Sequence, residues 1–227
     1  MTIHDNVAKI RENIAIAANK SGQDSNGIKL VGVTKTIEVE RIKELLLTGV
    51  NCIGESRVQE FLPKYEILQN SSSVKEWHFI GHLQRNKVKF IIDKVDLIHS
   101  VDSFALAQEI NRQAKKINRN IAILAELNIA NEASKFGLSP DKIFEFIYEI
   151  QSLSNISFTG LMCIAPFVEN PEKNRVHFAK MKKLALDIQS QFQYHECNLS
   201  MGMTNDYIVA IEEGANIIRI GTALFMV

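Results

Sequence analysis

Three groups of residues in this 227-residue chain could act together on one small molecule. The first is a lysine. Val31, Val33 and Lys35 occupy alternate positions, so on a strand they share a face, and a barrel filled by the two valines would carry the ammonium in its mouth. Apolar walls there would disfavour the charged form and lower its pKa, which suits an amine nucleophile toward a carbonyl. Position alone equally allows a strand-end lysine reaching for solvent. The second group lies in LSMGMTND (199–206) and RIGTALF (219–225), which supply Ser200, Gly202, Thr204, Gly221 and Thr222. Glycines let backbone N–H groups approach an anion, hydroxyls add donors, and a helix starting there adds a positive dipole end, so the two loops read as a phosphate cradle; ordinary turn material is the plainer account. The third is Arg219, on the same face as Ile217 and Gly221. A guanidinium inside a barrel must find acceptors, either a carboxylate such as Glu55 or Glu126 or a ligand atom such as a ring nitrogen.

Lysine, phosphate cradle and arginine together fit pyridoxal 5'-phosphate (PLP), which offers an aldehyde, a phosphate and a pyridine nitrogen. A class I aldolase acting on a sugar phosphate would use the first two groups and give the arginine no ring nitrogen. Both readings stand on these residues.

Positioning them requires a scaffold that brings the first strand beside the last. Apolar, β-branched runs at 28–34, 51–54, 77–81, 96–101, 121–128, 157–164, 196–200 and 216–221 predict strands. Helical spacing predicts helices at 38–48, 57–68, 84–93, 103–117, 139–152, 171–192 and 205–213, and an amphipathic stretch at 5–20 precedes the first strand. Alternation of this kind over about 250 residues is the pattern of an α/β fold, a single (β/α)8 TIM barrel. Only GTALFMV follows the eighth strand, so the N-terminal helix is expected to cover the seam between strands eight and one. No linker, repeat or low-complexity tract divides residues 1–227, which read as one domain.

Composition removes several function classes. Twenty-six basic residues balance 26 acidic ones, so no charge excess points to nucleic acid. Charged residues interrupt the first twenty positions, and no apolar run reaches the ~20 residues of a membrane span, so a soluble cytoplasmic protein without membrane contact is expected. Cys52, Cys163 and Cys197 are widely spaced and predict reduced thiols. Trp77 reads as core, and His78 and His99 as hydrogen-bonded structural residues, although His82, Ser100 and Asp102 also close strands three and four. The histidines and Glu55 lack the local spacing of a zinc motif, so no metal is expected, and GxSxG is absent.

Across LVGVTKT (30–36), IGESRVQE (53–60), WHFIGHLQRNKVK (77–89), HSVDS (99–103), LNIANEASKFGL (127–138), GLMCIAP (160–166) and LSMGMTNDYIVAIEEGANIIRIGTALF (199–225), the chain resembles the pyridoxal-phosphate homeostasis proteins. Their fold is the alanine racemase N-terminal barrel. The resemblance implies that Lys35 holds PLP as a Schiff base, that Ser200, Gly221 and Thr222 belong to the phosphate pocket, and that Arg219 faces the pyridine nitrogen. It departs at Ser56, where the family usually has asparagine, and at Met226 and Val227, where the family usually continues with glycine.

The resemblance further implies a protein that binds and buffers PLP in vitamin B6 homeostasis, with no established turnover and no catalytic residue. PLP-dependent apoenzymes are the expected recipients, and a monomer is the expected state. Two physical points agree. An arginine at the ring nitrogen leaves it unprotonated and weakens the ring as an electron sink. Racemisation needs an acid/base on each face of the α-carbon, and related racemases draw one from a C-terminal β-domain of a partner subunit, for which the 227 residues hold no segment. The alternative is a PLP-dependent amino-acid racemase or lyase using Lys35.

Overall fold

The computed structural model describes residues 2–132 and 135–226. The amphipathic start is α1 (Ile3–Ser21), opened by a capping box between Thr2 and Asp5 and closed by Gly22 in the left-handed region at φ 70°. There follow β1 (Lys29–Val33), α2 (Val39–Leu47), β2 (Cys52–Glu55), α3 (Val58–Leu68), β3 (Glu76–Phe79) and α4 (Val88–Ile91). Next come β4 (Leu97–Val101), α5 (Phe104–Lys116), β5 (Ile121–Leu127), α6 (Ile143–Ile150), β6 (Ile156–Cys163) and α7 (Arg175–Phe192). The chain then runs through β7 (Asn198–Ser200), α8 (Tyr207–Glu212), β8 (Ile217–Ile220) and the single turn α9 (Thr222–Phe225). The strands are parallel and pair in sequence order, and β8 returns to β1 with Gly32 opposite Ile220, closing an eight-stranded barrel of the expected (β/α)8 kind.

Strand alternation sorts side chains into two apolar regions. Val31, Cys52, Leu97, Leu124, Met162 and Ile217 meet inside the barrel. The residues one position away, such as Ile53, Ile98, Ile123 and Ile218, face the helix layer and join its larger core. A run such as IAILAEL is therefore apolar throughout, because both of its faces are covered.

Three expected helices begin as tight 3-10 turns, at Arg85–Lys87, Pro140–Lys142 and Pro171–Asn174. Proline suits the last two because its fixed φ and missing N–H cost nothing in a first turn. The seam over β8 and β1 is closed by α1, which packs against α8, α9 and α2. Asn6 Nδ2 donates to the Leu224 and Met226 carbonyls at 3.2 and 2.7 Å, tying α1 to α9. The three cysteines are unpaired, and among the described residues no helix is long and apolar enough to cross a membrane.

Candidate functional site

Lys35 lies one residue beyond the end of β1's buried run, in a turn, and its side chain is exposed. Apolar walls do not enclose it: β1 ends at Val33, and Lys35 and Thr36 form a turn. The turn is held tightly nonetheless. Thr36 sits at φ 62°, a conformation that β-branched residues avoid, and its N–H donates to Glu60 Oε2 at 2.7 Å. On the other side of Lys35, the Thr34 carbonyl accepts from Lys64 Nζ at 2.6 Å, and the Thr34 hydroxyl donates to Glu55 Oε1 at 2.5 Å. Lys64 Nζ completes the triangle with Glu55 Oε1 at 2.7 Å. Glu55, expected as a partner of Arg219, is therefore occupied on the helix side of the barrel wall, where it fixes the turn that carries Lys35.

Arg219 points inward on β8 beside Ile217, as expected, and is buried. Its acceptors are neither of the carboxylates considered. Nη1 donates to Ser200 Oγ at 2.6 Å and Nη2 to the Cys163 carbonyl at 2.9 Å. Ser200 ends β7, as the strand expected at 196–200 does, but it is fully buried, and its hydroxyl is shared with His99 Nδ1 at 2.9 Å. His99 Nε2 in turn meets His78 Nδ1 at 2.9 Å, and His78 Nε2 meets Glu76 Oε2 at 2.9 Å. Burial holds both histidines below the ordinary imidazole range, His99 well below it with His78 and Arg219 adding to the effect. The bond from His78 and the ammonium of Lys29 hold Glu76 down at about 2.

The two glycine-bearing loops do meet at the rim. Thr204 Oγ1 accepts from the Ala223 N–H at 3.4 Å, joining the loop after β7 to the first turn of α9. Gly202 is forced: it stands at φ 91°, and a Cβ there would come within 2.6 Å of Ala210 Cβ. Gly221 precedes α9, and exposed Thr222 begins it. A Cβ on Gly221 would meet Val33 Cβ at 3.4 Å, which sets the α9 start directly beside the end of β1 and hence beside the Lys35 turn.

Glu126 faces the same interior from β5, two residues beyond Leu124 of the inner cluster, and carries the most informative charge in the mouth. Burial, with Asp102 nearby and Arg219 opposing, pushes its carboxyl up to about 7. Asp102 lies 3.4 Å from His82 Nδ1, and the His82 ring stacks on exposed Phe136 at 3.8 Å. From sequence Glu126 is only a possible counter-ion to Arg219, and nothing in local spacing signals its burial. Ala133 and Ser134, in the middle of the LNIANEASKFGL motif, lie outside the described residues, as does Val227. Ser56 packs its backbone against Gly81. At the opposite end of the barrel, Cys52, Glu76 and His78 bring three potential ligand atoms within 4.8 Å of one another, with the Lys29 ammonium already on Glu76 at 2.5 Å. An open groove of about 800 Å³ between the segment after β3 and α5, lined by Gln84, Arg85 and Arg112 among others, holds none of the residues above.

The alanine racemase N-terminal domain family matches residues 6–227. The pyridoxal phosphate homeostasis protein of Aquifex aeolicus (strain VF5) is 43% identical over 225 residues, spanning 99% of this chain and 98% of that one. That of Escherichia coli (strain K12) is 32% identical, over 98% and 95% of the two chains. Among solved structures, PipY of Synechococcus elongatus PCC7942 with PLP bound superposes with a TM-score of 0.86 at 31% identity, covering 99% of this chain and all of that one. An alanine racemase of Clostridium difficile 630 shares the fold, with a TM-score of 0.73 at 20% identity, and the present chain spans 56% of its length. With its full-length barrel, its strand-end lysine and this degree of identity, the chain belongs to the pyridoxal phosphate homeostasis protein family, on the alanine racemase N-terminal barrel.

Proposed function

We propose that the chain binds PLP in the mouth of the barrel and serves to hold and buffer it, with Lys35 as the point of covalent attachment. The observation that carries this reading is the pairing of β8 with β1, with Gly221 so close that a Cβ on it would meet Val33 at 3.4 Å, because it sets a primary amine and the start of α9 at adjacent strand ends. When bound, PLP supplies an aldehyde that condenses with a primary amine and loses water. The residues suit its other two groups. Gly221 and Thr222 offer backbone N–H and hydroxyl donors to the phosphate at the first turn of α9, with Thr204 bracing that turn. Arg219, with three N–H groups beyond the two spent on Ser200 and Cys163, remains a donor for the ring nitrogen. Ser200 serves this site from beneath: its hydroxyl is committed to Arg219 and His99, and we assign it to holding the arginine rather than the phosphate. The PLP-bound PipY relative and the names of the curated relatives support the same ligand.

Borohydride reduction of the PLP-treated protein followed by peptide mapping tests the assignment. The reduced adduct is expected on the peptide containing Lys35; an adduct confined to Lys87 or Lys135 refutes it. Thr222→Ala should weaken PLP binding by about 1.5–3 kcal/mol, the cost of losing one donor to a charged acceptor. Pyridoxal, which lacks the phosphate, should respond much less. Equal losses for the two vitamers would locate the damage in the barrel instead of the cradle.

As a carrier the chain would pass PLP to apoenzymes, as a monomer, within the cytoplasm, where its unpaired cysteines suit a reducing environment. A racemase or lyase is the second reading, favoured by one observation: Glu126, with its carboxyl at about 7, is a proton-holding group in the mouth. Incubation of the PLP-loaded protein with a panel of amino acids in D2O separates the two, since a carrier leaves the α-protons in place.

A further inference from the structure

We propose that His78 and His99 are positioning residues, forming with Ser200 a one-way hydrogen-bond relay that runs through the barrel from Glu76 to Arg219 and fixes how the guanidinium is presented to the mouth. Only one arrangement of protons satisfies every atom of this row. Glu76 is a carboxylate and can only accept, so the proton of the His78–Glu76 bond sits on His78 Nε2. A neutral His78 must then accept at Nδ1, which places a proton on His99 Nε2. A neutral His99 likewise accepts at Nδ1, so the Ser200 hydroxyl donates to it and turns its lone pairs to Arg219 Nη1. The four contacts at 2.9, 2.9, 2.9 and 2.6 Å thus all point the same way, from a fixed cation to a fixed anion at the other end of the barrel.

Polarity of this kind has consequences. Each bond polarises the next, and a buried arginine without a direct carboxylate partner gains an electrostatic link to Glu76. Lys29, on Glu76 at 2.5 Å, keeps that carboxylate ionised and so sets the direction of the row from below. Without His99 the Ser200 hydroxyl would be free to rotate, and the guanidinium would keep only the Cys163 carbonyl as a firm anchor. The relay itself is independent of any ligand; its service to a ring nitrogen rests on the PLP reading above.

The test has two arms. In the first, ¹⁵N-edited NMR of the imidazoles in the wild-type protein, without PLP, should show both buried rings neutral at pH 7, with the proton on Nε2 and Nδ1 unprotonated. An imidazolium, or an Nδ1–H tautomer on either ring, overturns the relay whether or not PLP binds. The second arm compares His99→Leu, which removes both bonds, with His99→Gln, which retains one acceptor and one donor, by PLP titration and by the absorption band of the bound cofactor. His99→Leu should bind PLP about tenfold more weakly and shift the band, and His99→Gln should recover most of both. If PLP binds His99→Leu with wild-type affinity and an unchanged band, the histidines are packing residues and the positioning role is wrong. Failure of the wild-type protein to bind PLP at all would instead remove the ligand reading and leave the NMR result to decide the relay.

Discussion

Lys64→Met should destabilise the protein by about 3–5 kcal/mol, the range for leaving one member of a buried ion pair without its partner. Glu55 has no exposed surface and receives Lys64 Nζ and the Thr34 hydroxyl on the same oxygen, Oε1, while Oε2 has no partner. Methionine matches the length of the lysine stem and removes only the charge, so packing changes little. The carboxylate would remain buried with a single hydroxyl donor. The Thr34 carbonyl would keep only the Ile37 N–H at 3.0 Å as a donor, and the turn that carries Lys35 would lose one of its two links to α3, the other being Glu60. Urea unfolding should show the full loss in Lys64→Met and recovery of most of it in Lys64→Met/Glu55→Gln, where no uncompensated charge is left. Equal losses in the single and double variants would mean that the lysine matters for its bulk and not for Glu55.

The barrel was readable from the sequence because its physics is local and repeated. Eight apolar runs separated by helical spacing leave few ways to cover every strand on both faces, and the amphipathic stretch at 5–20 then has one natural place, over the seam. Strand parity also told which way Val31, Ile217 and Arg219 point, since a two-residue period survives small errors of boundary. At Lys35 the strand is already over: β1 stops at Val33 and Lys35 lies in a turn with Thr36 at φ 62°, a turn that no glycine or proline announces. At Ser200 the neighbours in sequence suggest a loop hydroxyl, whereas its hydrogen-bond partners are His99 and Arg219, 101 and 19 positions away. Long-range partners of this kind, including the Glu55–Lys64 pair and the row from Glu76 to Arg219, follow from which strands are adjacent and how deep each side chain lies. Neither quantity is written in local spacing.

Glu126→Gln should raise stability in alkaline solution by about 3 kcal/mol and change it little near pH 4. The sign follows from the native carboxyl lying at about 7 against 4.5 for the free side chain. Because the folded state holds this proton more tightly, the unfolded form ionises first as the pH rises through 4.5, and the folded form loses ground until its own carboxyl ionises near 7. The difference of about 2.5 pH units, at 1.36 kcal/mol each, is the full penalty above that point. Glutamine carries no such penalty and has nearly the same shape. Stability curves by urea unfolding at pH 4, 5.5, 7 and 8.5 should therefore diverge between wild type and variant across the middle of this range and run parallel outside it. Curves that stay parallel throughout would show that Glu126 is solvated and its burial without consequence. A buried carboxyl with a pKa raised this far, in a site that also holds Arg219, is a candidate for function. On the PLP reading the matching expectation is that Glu126→Gln, although the more stable protein, binds PLP with a weaker dependence on pH between 6 and 8 than wild type, since a carboxyl that burial raises into that window has been removed from the site.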